Sequence, residues 1–489
     1  MDISSLCIVV IVTFLALLAF LSVIKKKVSG SGTYTSGRDI PGLKVSHAQH
    51  GNLDLITKHG GFNGFLLWLH QQYGPIAKFW FGEQMVVSIA SPQLFKETSR
   101  MFDRPGLLFK MLEVIITEKA IQYANKEDGK WRRNTYDSCY SHNNVMKSIG
   151  MLQKLSEEMV GRWSQIPHGE HVPCRQGMFM FAIKAVMQSS LGNFFFQDEE
   201  VFKFWESYNT SWSDMEQRFL KEDFPQPGSE REKIFNEAKK YMYDTIAAAI
   251  EVRRKRPTTE KRKMLIDVMI ENNIPYDVMQ CDVLMFIIGG FHTTANSLLW
   301  ALSFISAHSD VQEKMYQEVK NILGDTGKIT PDNIGQLVYT RQVIDEALRI
   351  AKIAPYAARF DDDNDVKLGD YVIPAGTPII QAINVEYNDP ARWPNPNEFD
   401  PDRFSPEKVS ERHPYSFQPF GFAGKRKCPG YRFAYAEVTT ALANILLSFQ
   451  IQGVKGQEVK ASCGLLGALD DEVWITLEKR SSGSVQPMK

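Results

Sequence analysis

The sequence predicts a mainly α protein with a smaller β lobe and an N-terminal transmembrane anchor. Apolar residues recur at spacings of three and four through most of residues 145–350, which is the period of an α-helix. Within that stretch, residues 281–307 are apolar on nearly every side, as expected of a helix that runs through the middle of a large protein. Alternating patterns at residues 75–90 and 366–380 indicate two hairpins and therefore a small amount of sheet.

The anchor is predicted from residues 3–24, which contain no charged side chain. At helical rise this run spans roughly 33 Å, enough for the hydrocarbon core of a bilayer. Asp2 precedes the run and three lysines, Lys25 to Lys27, follow it, so the positive-inside rule keeps the rest of the chain on the cytoplasmic side. A cleaved signal peptide would carry basic residues before a shorter apolar run. We therefore predict a signal anchor at residues 1–24.

The composition narrows the class of the protein. Residues 25–40 are basic and then rich in glycine and serine, which predicts a flexible linker to a folded body at residues 41–489. The net charge of −1 gives no reason to expect nucleic acid as a partner. The six cysteines are scattered singly, without a Cys-x-x-Cys pair for zinc or a disulfide framework, and this fits a reducing, cytosol-facing compartment.

Shorter elements are predicted from turn and cap residues. Gly82-Glu83 forms the turn of the first hairpin, and Thr330-Pro331 predicts a helix N-cap with proline at the first helical position. Four prolines within residues 389–404 predict an ordered loop and neither helix nor strand. A long helix is predicted after Cys428, and residues 472–477 predict a terminal strand.

The most informative local pattern surrounds Cys428, in the stretch Pro-Phe-Gly-Phe-Ala-Gly-Lys-Arg-Lys-Cys-Pro-Gly at residues 419–430. Its glycines allow the backbone to approach a flat ligand, Arg426 can bind a carboxylate, and the following helix directs its positive end toward the sulfur. A cysteine thiolate in such surroundings can hold a haem iron. A buried free cysteine in a glycine-rich turn fits the same twelve residues, so the motif alone leaves both readings open.

A second pattern is an acid and a base three residues apart, Glu346 and Arg349, on one face of a predicted helix. Surface pairs have the same spacing, and this chain contains two others, Glu97-Arg100 and Glu251-Arg254. What distinguishes Glu346 is the order of motifs, because it is followed by Pro401-Asp402-Arg403-Phe404 and then by Cys428.

These ordered motifs resemble those of the cytochrome P450 superfamily of haem-thiolate monooxygenases, over roughly residues 40–480. The resemblance implies a triangular prism with haem b (iron protoporphyrin IX) between a central helix and the cysteine loop, Cys428 as the iron ligand, and a structural role for Glu346, Arg349 and Arg403. It makes residues 41–489 the haem-thiolate catalytic domain. Phe79-Trp80-Phe81-Gly82 and the residues after Cys428 further resemble the animal family-20 branch.

The segment Gly289-Gly290-Phe291-His292-Thr293-Thr294 resembles the family's oxygen-activation segment. A glycine lets the helix pass close to the macrocycle, and a threonine hydroxyl four residues later can act on the oxygen side of the haem. The resemblance therefore implies catalytic roles for Thr293 and Thr294. His292 stands where the family has an acid, and an imidazole can relay protons, so we hypothesise that His292 serves in proton delivery. Tight packing of a core helix would explain the same residues without function.

The contacts to the cofactor depart from the family pattern in two places. Seven residues before the cysteine, Gly421 replaces the family's phenylalanine, so that Phe420 or Phe422 is expected to cover the sulfur through a one-residue bulge. Four residues after Trp131, Thr135 replaces the family's arginine, so Arg132 or Arg133 is expected to reach a haem propionate with Trp131. Arg359 and Arg426 match two further propionate contacts.

The resemblance also implies partners. The chain has no flavin or nicotinamide motif, so electrons are expected from the membrane flavoprotein NADPH–cytochrome P450 reductase, with cytochrome b5 as a second possible donor. Electrostatic complementarity to an acidic donor predicts a basic docking patch, formed by Lys130, Arg132, Arg133, Lys425, Lys427 and Arg432. The implied location is the endoplasmic reticulum membrane, single-pass, with the catalytic domain on its cytoplasmic side.

The substrate class is expected to be apolar, and the sequence does not select one molecule. Residues 107–121 and an aromatic run lie where the family shapes its substrate pocket, although aromatic residues at such spacing also form ordinary cores; the run is Phe202, Phe204, Trp205, Trp212 and Phe219. A haem-thiolate isomerase or dehydratase that does not use O2, and a non-catalytic haem-binding protein, are the alternatives that use the same Cys428.

Overall fold

The computed structural model of the protein describes residues 40–192, 197–220, 223–256, 262–421, 424, 426–461 and 467–480. The predicted anchor at residues 1–24, nearly all of the linker, Phe422 and Lys425 lie outside the described residues.

Helices make up most of the described chain. They are α1 (Leu53–Lys58), α2 (Phe62–Tyr73), α3 (Pro92–Thr98), α4 (Glu113–Ile116), α5 (Lys126–Asp137), α6 (His142–Met146), α7 (Ile149–Trp163), α8 (Cys174–Leu191), α9 (Asp198–Leu220), α10 (Glu230–Lys255), α11 (Leu265–Glu271), α12 (Tyr276–Ala307), α13 (Ser309–Leu323), α14 (Val338–Ala351), α15 (Ile383–Tyr387), α16 (Pro406–Glu411) and α17 (Tyr431–Ser448). Short 3-10 helices cover Gly106–Leu112, Ser138–Tyr140, Gly324–Thr326, Ile334–Gln336 and Pro401–Phe404.

The central element is α12, whose 32 residues begin after Pro275 and end at His308. It packs most extensively against α8 and also contacts α10, α14 and α17, so that protein surrounds it on several sides. Among the described helices, α12 is the one that is long and apolar enough to cross a membrane, and 67% of its apolar window is buried in the protein. Its apolar composition is therefore explained by burial in the core.

The β lobe consists of three small sheets. The strands are β1 (Ile76–Phe81), β2 (Gln84–Ile89), β3 (Val172–Pro173), β4 (Ala357–Arg359), β5 (Val366–Leu368), β6 (Tyr371–Ile373), β7 (Ile379–Gln381), β8 (Phe449–Gly453) and β9 (Trp474–Lys479). Their orders are β1-β2-β7-β4, β3-β9-β8 and β5-β6. In the first sheet β2 pairs with β7 in parallel and β7 pairs with β4 antiparallel, so β4 brings Arg359 to the edge of the lobe.

Buried side chains form one large helical core and two smaller clusters under the β lobe. The large cluster runs from α7 and α8 through α12 to α14 and α17. Each smaller cluster packs the first sheet against neighbouring helices, with Phe65 and Phe79 in contact in one of them. The fold is therefore mainly α with a smaller β lobe, as the sequence predicted.

Most of the predicted elements are confirmed. The first hairpin, the central helix, the proline-rich loop with its short 3-10 turn, and the helix after the cysteine are present. The second hairpin ends earlier than predicted, because β5 and β6 pair with each other while residues 379–381 join the first sheet as β7. The terminal strand begins at Trp474, two residues later than predicted.

One predicted helix start is wrong. Thr330 does not cap a helix, because the residues after it form a turn and a 3-10 segment before α14 begins at Val338. Asn333 explains the difference: its side chain accepts a hydrogen bond from the Thr330 N–H at 2.8 Å and donates to the carbonyl of Lys328 at 3.0 Å. A local side-chain bond of this kind competes with helix formation.

Candidate active site

Cys428 is held in a loop whose backbone is fixed at three points. The Cys428 N–H donates to the carbonyl of Phe420 at 2.9 Å, which closes the loop. Gly421 has a φ of +79° directly after Phe420, a conformation that favours glycine. Gly424 has a φ of +131°, and a Cβ there would lie 2.2 Å from the carbonyl oxygen of Ser99, so only glycine fits this close approach.

The side chain of Cys428 is densely surrounded by protein and yet accessible to a water-sized probe. A sulfur that borders an internal space would be both surrounded by protein and accessible to water. Burial raises the pKa of the Cys428 thiol, whereas the Gly430 N–H, Arg133 and Arg104 act in the opposite direction and favour the thiolate.

Four arginines lie close to one another beside this thiol. They come from separate parts of the chain: Arg104 from the segment before the first 3-10 helix, Arg133 from α5, Arg359 from β4 and Arg426 from the cysteine loop. Burial lowers the pKa of Arg104, and its positive neighbours Arg426, Arg359 and Arg133 lower it further. Burial and the other arginines likewise lower the pKa of Arg359 to about 10 and that of Arg426 to about 9.

The partners of these arginines are mostly uncharged. Arg426 donates to the carbonyls of Phe102 at 3.1 Å and Ile121 at 3.2 Å, and also to that of Ala124. Arg104 donates to the Gln122 side chain at 2.5 Å, and Arg359 donates to the carbonyl of Ala358 at 2.7 Å. Arg133 is the exception, because it is paired with Asp137 at 3.1 Å; it also donates to the carbonyl of Lys427.

Within the described part of the chain, no carboxylate forms an ion pair with Arg104, Arg359 or Arg426. Like charges gathered in a buried region repel one another by on the order of kilocalories per mole, so the cluster is suited to a bound group that carries negative charge. Haem b has two propionates and an iron that takes a thiolate ligand. The arginine cluster and the accessible sulfur of Cys428 therefore fit haem b.

Two predicted propionate contacts are not in this cluster. Arg132 is buried but donates to Asp282 through Nη1, at 3.2 Å to each carboxylate oxygen, and is also paired with Asp128. Trp131 is 47% exposed on a face of α5 that also carries the exposed Glu127. The helix turns about 100° per residue, so Arg133 points toward the cluster while Trp131 points away from it.

Asp282 is the centre of a buried polar network on α12. Besides Arg132, its carboxylate accepts a hydrogen bond from the Tyr136 hydroxyl at 2.7 Å and one from the Ile121 N–H at 2.5 Å. Burial raises the pKa of Asp282 to about 6, and Arg132 and the hydrogen bonds oppose that rise. The network ties α12 to α5 and to the segment that Arg426 also contacts.

Glu346 and Arg349 are fully buried and paired, and Arg403 joins them. Arg403 Nε lies 3.2 Å from a Glu346 oxygen, and its Nη2 donates to the carbonyl of Asn395 at 3.0 Å. Arg349 donates to the carbonyl of Pro396 at 2.7 Å. The three side chains therefore hold the proline-rich loop to α14.

The central helix has an open side and a packed side at its glycine pair. Among the described residues, a Cβ at Gly289 would meet only Met285 Cε, at 3.5 Å, whereas a Cβ at Gly290 would lie 2.5 Å from Val186 on α8. Each of the following threonines donates its hydroxyl proton to the carbonyl four residues earlier, at 2.7 Å: Thr293 to Gly289, and Thr294 to Gly290. Thr293 is half-buried on the open side, while Thr294 is 3% exposed on the packed side.

His292 lies in a box of aromatic rings. Its Nδ1 is hydrogen-bonded to the hydroxyl of Tyr208 on α9. The ring centroids of Trp212 and Phe179 lie 5.0 and 5.9 Å from that of His292. Burial lowers the pKa of His292 to about 4, and Arg175 lowers it further, so the imidazole is neutral at physiological pH.

The predicted docking patch is reduced in the structure. Arg132 and Arg133 are buried, so they do not belong to a surface patch. Lys130, Lys427 and Arg432 remain at least partly exposed. Arg341 is also exposed but is paired with Asp345 at 2.9 Å; it lines a cavity of about 300 Å³ together with Lys427 and residues of the cysteine loop.

The described residues of the predicted substrate region are mostly half-buried or belong to the core. The side chains of residues 107–114 are all half-buried. Phe204 is fully buried, and Phe202 and Trp205 pack against the helical core. Among the described side chains of the aromatic run, Trp212 reaches His292.

Three residues of the site were missed in the sequence. Arg104 directly follows Asp103, so its apolar neighbours Phe102, Leu107 and Leu108 gave only a weak signal that a buried anion partner is needed. Asp282 lies at the start of the apolar run 281–307 and gave a similar signal. No local sequence pattern marked Tyr208 as a site residue, because its pairing with His292 depends on how α9 crosses α12.

Comparisons with known proteins agree with this geometry. A family model described as Cytochrome P450 matches residues 41–469. Cytochrome P450 20A1 of Bos taurus is 31% identical over 441 residues, which cover 90% of this chain and 93% of the relative, and that of Homo sapiens is 30% identical over the same length. Cytochrome P450 4V2 of Mus musculus is 33% identical over 235 residues, 46% of this chain and 44% of the relative.

Proposed function

The chain belongs to the cytochrome P450 family, and from that premise we propose that it is a membrane-anchored monooxygenase that inserts one oxygen atom from O2 into an apolar organic substrate, with electrons from NADPH. As a member of the family it is an oxidoreductase of the monooxygenase class that binds haem b, takes electrons from a redox partner and acts on a small molecule. Residues 1–24 are proposed as the anchor in the endoplasmic reticulum membrane, 25–40 as the linker and 41–489 as the cytoplasmic catalytic domain.

The proposal depends mainly on one observation: Arg104, Arg359 and Arg426 lie together beside the accessible sulfur of Cys428, and none of them has a carboxylate partner among the described residues. Cys428 would bind the iron, and Arg104, Arg133, Arg359 and Arg426 would bind the propionates. When bound, haem b supplies the activation of O2, and the cysteine thiolate favours cleavage of the O–O bond.

The residues of the central helix would act on the other side of the haem. Gly289 leaves space beside α12, and Thr293 would hold a hydrogen-bonded water there, since its hydroxyl oxygen keeps free lone pairs while its proton is donated to Gly289. His292 is proposed to help deliver protons to the same region. For Thr294 the packed environment supports a structural role in place of the predicted catalytic one.

Phe420 is proposed as the aromatic residue that shields the thiolate. Its carbonyl accepts the Cys428 N–H, and its ring packs on Tyr435 at 5.0 Å between centroids. Exclusion of water from the sulfur would keep the thiolate from being protonated or strongly hydrogen-bonded.

The electron donor is proposed to be NADPH–cytochrome P450 reductase, with cytochrome b5 as a second donor. Lys427 and Arg432 supply positive charge on the side of the cysteine loop, which suits an acidic protein, whereas Lys130 and Arg341 are paired with Glu127 and Asp345. Charge reversal at Lys427 is expected to slow reduction in a salt-dependent way. Reversal at Lys240 on α10, whose side chain is 74% exposed, is the matched control. Equal rates of reduction by the electron donor in the two charge-reversal variants would exclude this docking face.

The proposed reaction is tested by supplying the full-length protein with the reductase, NADPH and a library of apolar substrates under ¹⁸O2. Oxygenated products with one labelled oxygen atom, formed only with NADPH, are expected. Conversion of a substrate without NADPH or O2 would instead identify a haem-thiolate isomerase or dehydratase. Haem binding without any NADPH consumption would identify a non-catalytic haem protein.

A further inference from the structure

Tyr208 and His292 form a contact between two helices that the proposed function does not explain. Tyr208 lies on α9 with 1% of its surface exposed, and His292 lies on α12, one residue before Thr293. The hydroxyl of Tyr208 and Nδ1 of His292 share a hydrogen bond. The direction of that bond determines which nitrogen of the imidazole carries the proton.

The Tyr208 hydroxyl must be the donor. No other described group accepts its proton, and a buried hydroxyl proton without an acceptor costs about 1–3 kcal/mol. If Nδ1–H donated to the tyrosine oxygen, that cost would be incurred. With the hydroxyl as donor, Nδ1 is unprotonated, and a neutral imidazole then carries its proton on Nε2.

The second nitrogen has room for a ligand. Among the residues that the structure describes, no group is hydrogen-bonded to Nε2 of His292. This nitrogen is nevertheless accessible to water. The half-buried ring therefore presents an N–H to accessible space.

We propose that Tyr208 holds His292 in the Nε2–H tautomer, so that His292 acts as a fixed hydrogen-bond donor to a water molecule and does not give up its own proton. Tyr208 is then a positioning residue. The functional part of this inference rests on the proposed monooxygenase activity, whereas the tautomer does not.

The properties of Tyr208 explain why His292 acts as a fixed hydrogen-bond donor and not as an acid. To act as an acid, His292 would lose the Nε2 proton and take another through Nδ1, which would leave a tyrosinate at Tyr208. Burial raises the pKa of Tyr208 well above its ordinary value, so this tyrosinate is strongly disfavoured. The protons of the reaction would therefore come through water that His292 orients.

The tautomer is tested by ¹⁵N NMR of the full-length, haem-loaded protein in its reduced carbon-monoxide form, with labelled histidine. His292→Asn identifies the signals of His292 among those of the ten histidines. The expected result is a hydrogen-bonded, unprotonated Nδ1 and a protonated Nε2, with both tautomers populated in Tyr208→Phe. A protonated Nδ1 in the wild type, or no change in Tyr208→Phe, would overturn the proposal.

The matched control is Trp212→Phe. Trp212 also contacts the His292 ring, but its own N–H donates to Glu216 at 3.0 Å and does not reach Nδ1. This variant is expected to keep the wild-type tautomer, so a change in it would attribute the effect to packing and contradict the role of the Tyr208 hydroxyl.

The role as donor is tested by the hydrogen peroxide released per NADPH consumed with the reductase. One lost hydrogen bond corresponds to roughly a three- to tenfold change, and His292→Ala is expected to raise the leak by that factor. His292→Asn keeps an N–H donor and is expected to leak less than His292→Ala; equal leaks would contradict the role of His292 as a hydrogen-bond donor. If even the wild type consumes no NADPH, the proposed function fails, while the NMR result still decides the tautomer.

Discussion

Arg349 binds the carboxylate of Glu346 through two hydrogen bonds, from Nε to Oε2 at 2.7 Å and from Nη2 to Oε1 at 2.8 Å, and both side chains are fully buried. The same carboxylate accepts the Asp400 N–H at 3.0 Å. Because these bonds hold the loop that leads to the cysteine loop, the pair links the stability of α14 to the geometry around Cys428.

Glu346→Ala is expected to unfold the proline-rich loop, because it leaves the buried Arg349 with backbone carbonyls as its partners and leaves Arg403 with Asp400, at 3.9 Å, as its carboxylate. Removing one member of a buried ion pair costs about 3–5 kcal/mol. The measurements are the melting temperature and the amount of haem incorporated, and both are expected to fall. Glu251→Ala is the matched control, since Glu251 and Arg254 have the same spacing but are exposed and 3.8 Å apart. Equal losses in the two variants would contradict the account.

Arg104→Met is expected to weaken haem retention without unfolding the chain. The substitution removes one cation from a cluster in which positive charges repel one another in the absence of an anion. Losing one hydrogen bond to a charged group corresponds to a roughly tenfold faster loss of haem. The measurement is the rate of haem transfer to an acceptor protein.

The control for Arg104 is Arg132→Met. This change leaves Asp282 buried without its cation, so it is expected to lower the melting temperature more than Arg104→Met does. Faster haem loss from Arg132→Met than from Arg104→Met, at equal stability, would show that the original prediction for Arg132 was right.

Substitution by alanine is expected to have different effects at Gly289 and at Gly290 on α12. Gly290→Ala places a methyl group 2.5 Å from Val186, and such overpacking costs about 1–3 kcal/mol. Gly289→Ala meets only Met285, so the fold is expected to tolerate it, while the added methyl group narrows the space beside the haem. Melting temperature and carbon-monoxide affinity separate the two effects. Similar destabilisation by both variants would contradict the assignment of the open and packed sides.

Acidification is expected to destabilise the protein through buried histidines. His70 bonds Ser88 and the Gly74 carbonyl, each at 2.7 Å, and burial lowers its pKa to about 4 from 6.5. Its folded-state pKa is depressed, so its contribution is complete above pH 6.5 and is lost as the pH falls toward 4. At pH 5 the loss is about 2 kcal/mol. Burial also lowers the pKa of His292 to about 4, so acidification destabilises the folded protein through His292 as well.

The measurement is the fall in melting temperature between pH 7 and pH 5, for the wild type and for His70→Asn. Asparagine does not titrate, so the fall is expected to be smaller in the variant. An identical fall would mean that His70 is not held neutral in the folded protein.

Local sequence signals predicted the elements that local chemistry determines. The apolar run of α12, the alternation of β1 and β2, and the order of Glu346, Arg403 and Cys428 could all be read from the sequence, because each depends on short-range spacing. The helix start predicted at Thr330-Pro331 was wrong, because the side chain of Asn333 forms a competing hydrogen bond with the backbone.

The cofactor contacts were harder to predict because they depend on the rotation of one helix. Arg132 and Arg133 are neighbours in sequence but differ by about 100° around α5, and only packing determines that one meets Asp282 and the other the arginine cluster. Arg104 and Tyr208 reach the site from segments far from Cys428 in the sequence. Such long-range contacts leave no periodic signal.

The most direct test of the central claim is the reduced carbon-monoxide difference spectrum of the haem-loaded protein beside that of Cys428→Ser. The far-red-shifted band of a thiolate-ligated haem is expected in the wild type, and its loss is expected in the variant. Haem that binds without this band in the wild type, or a band that survives in Cys428→Ser, would contradict ligation by Cys428.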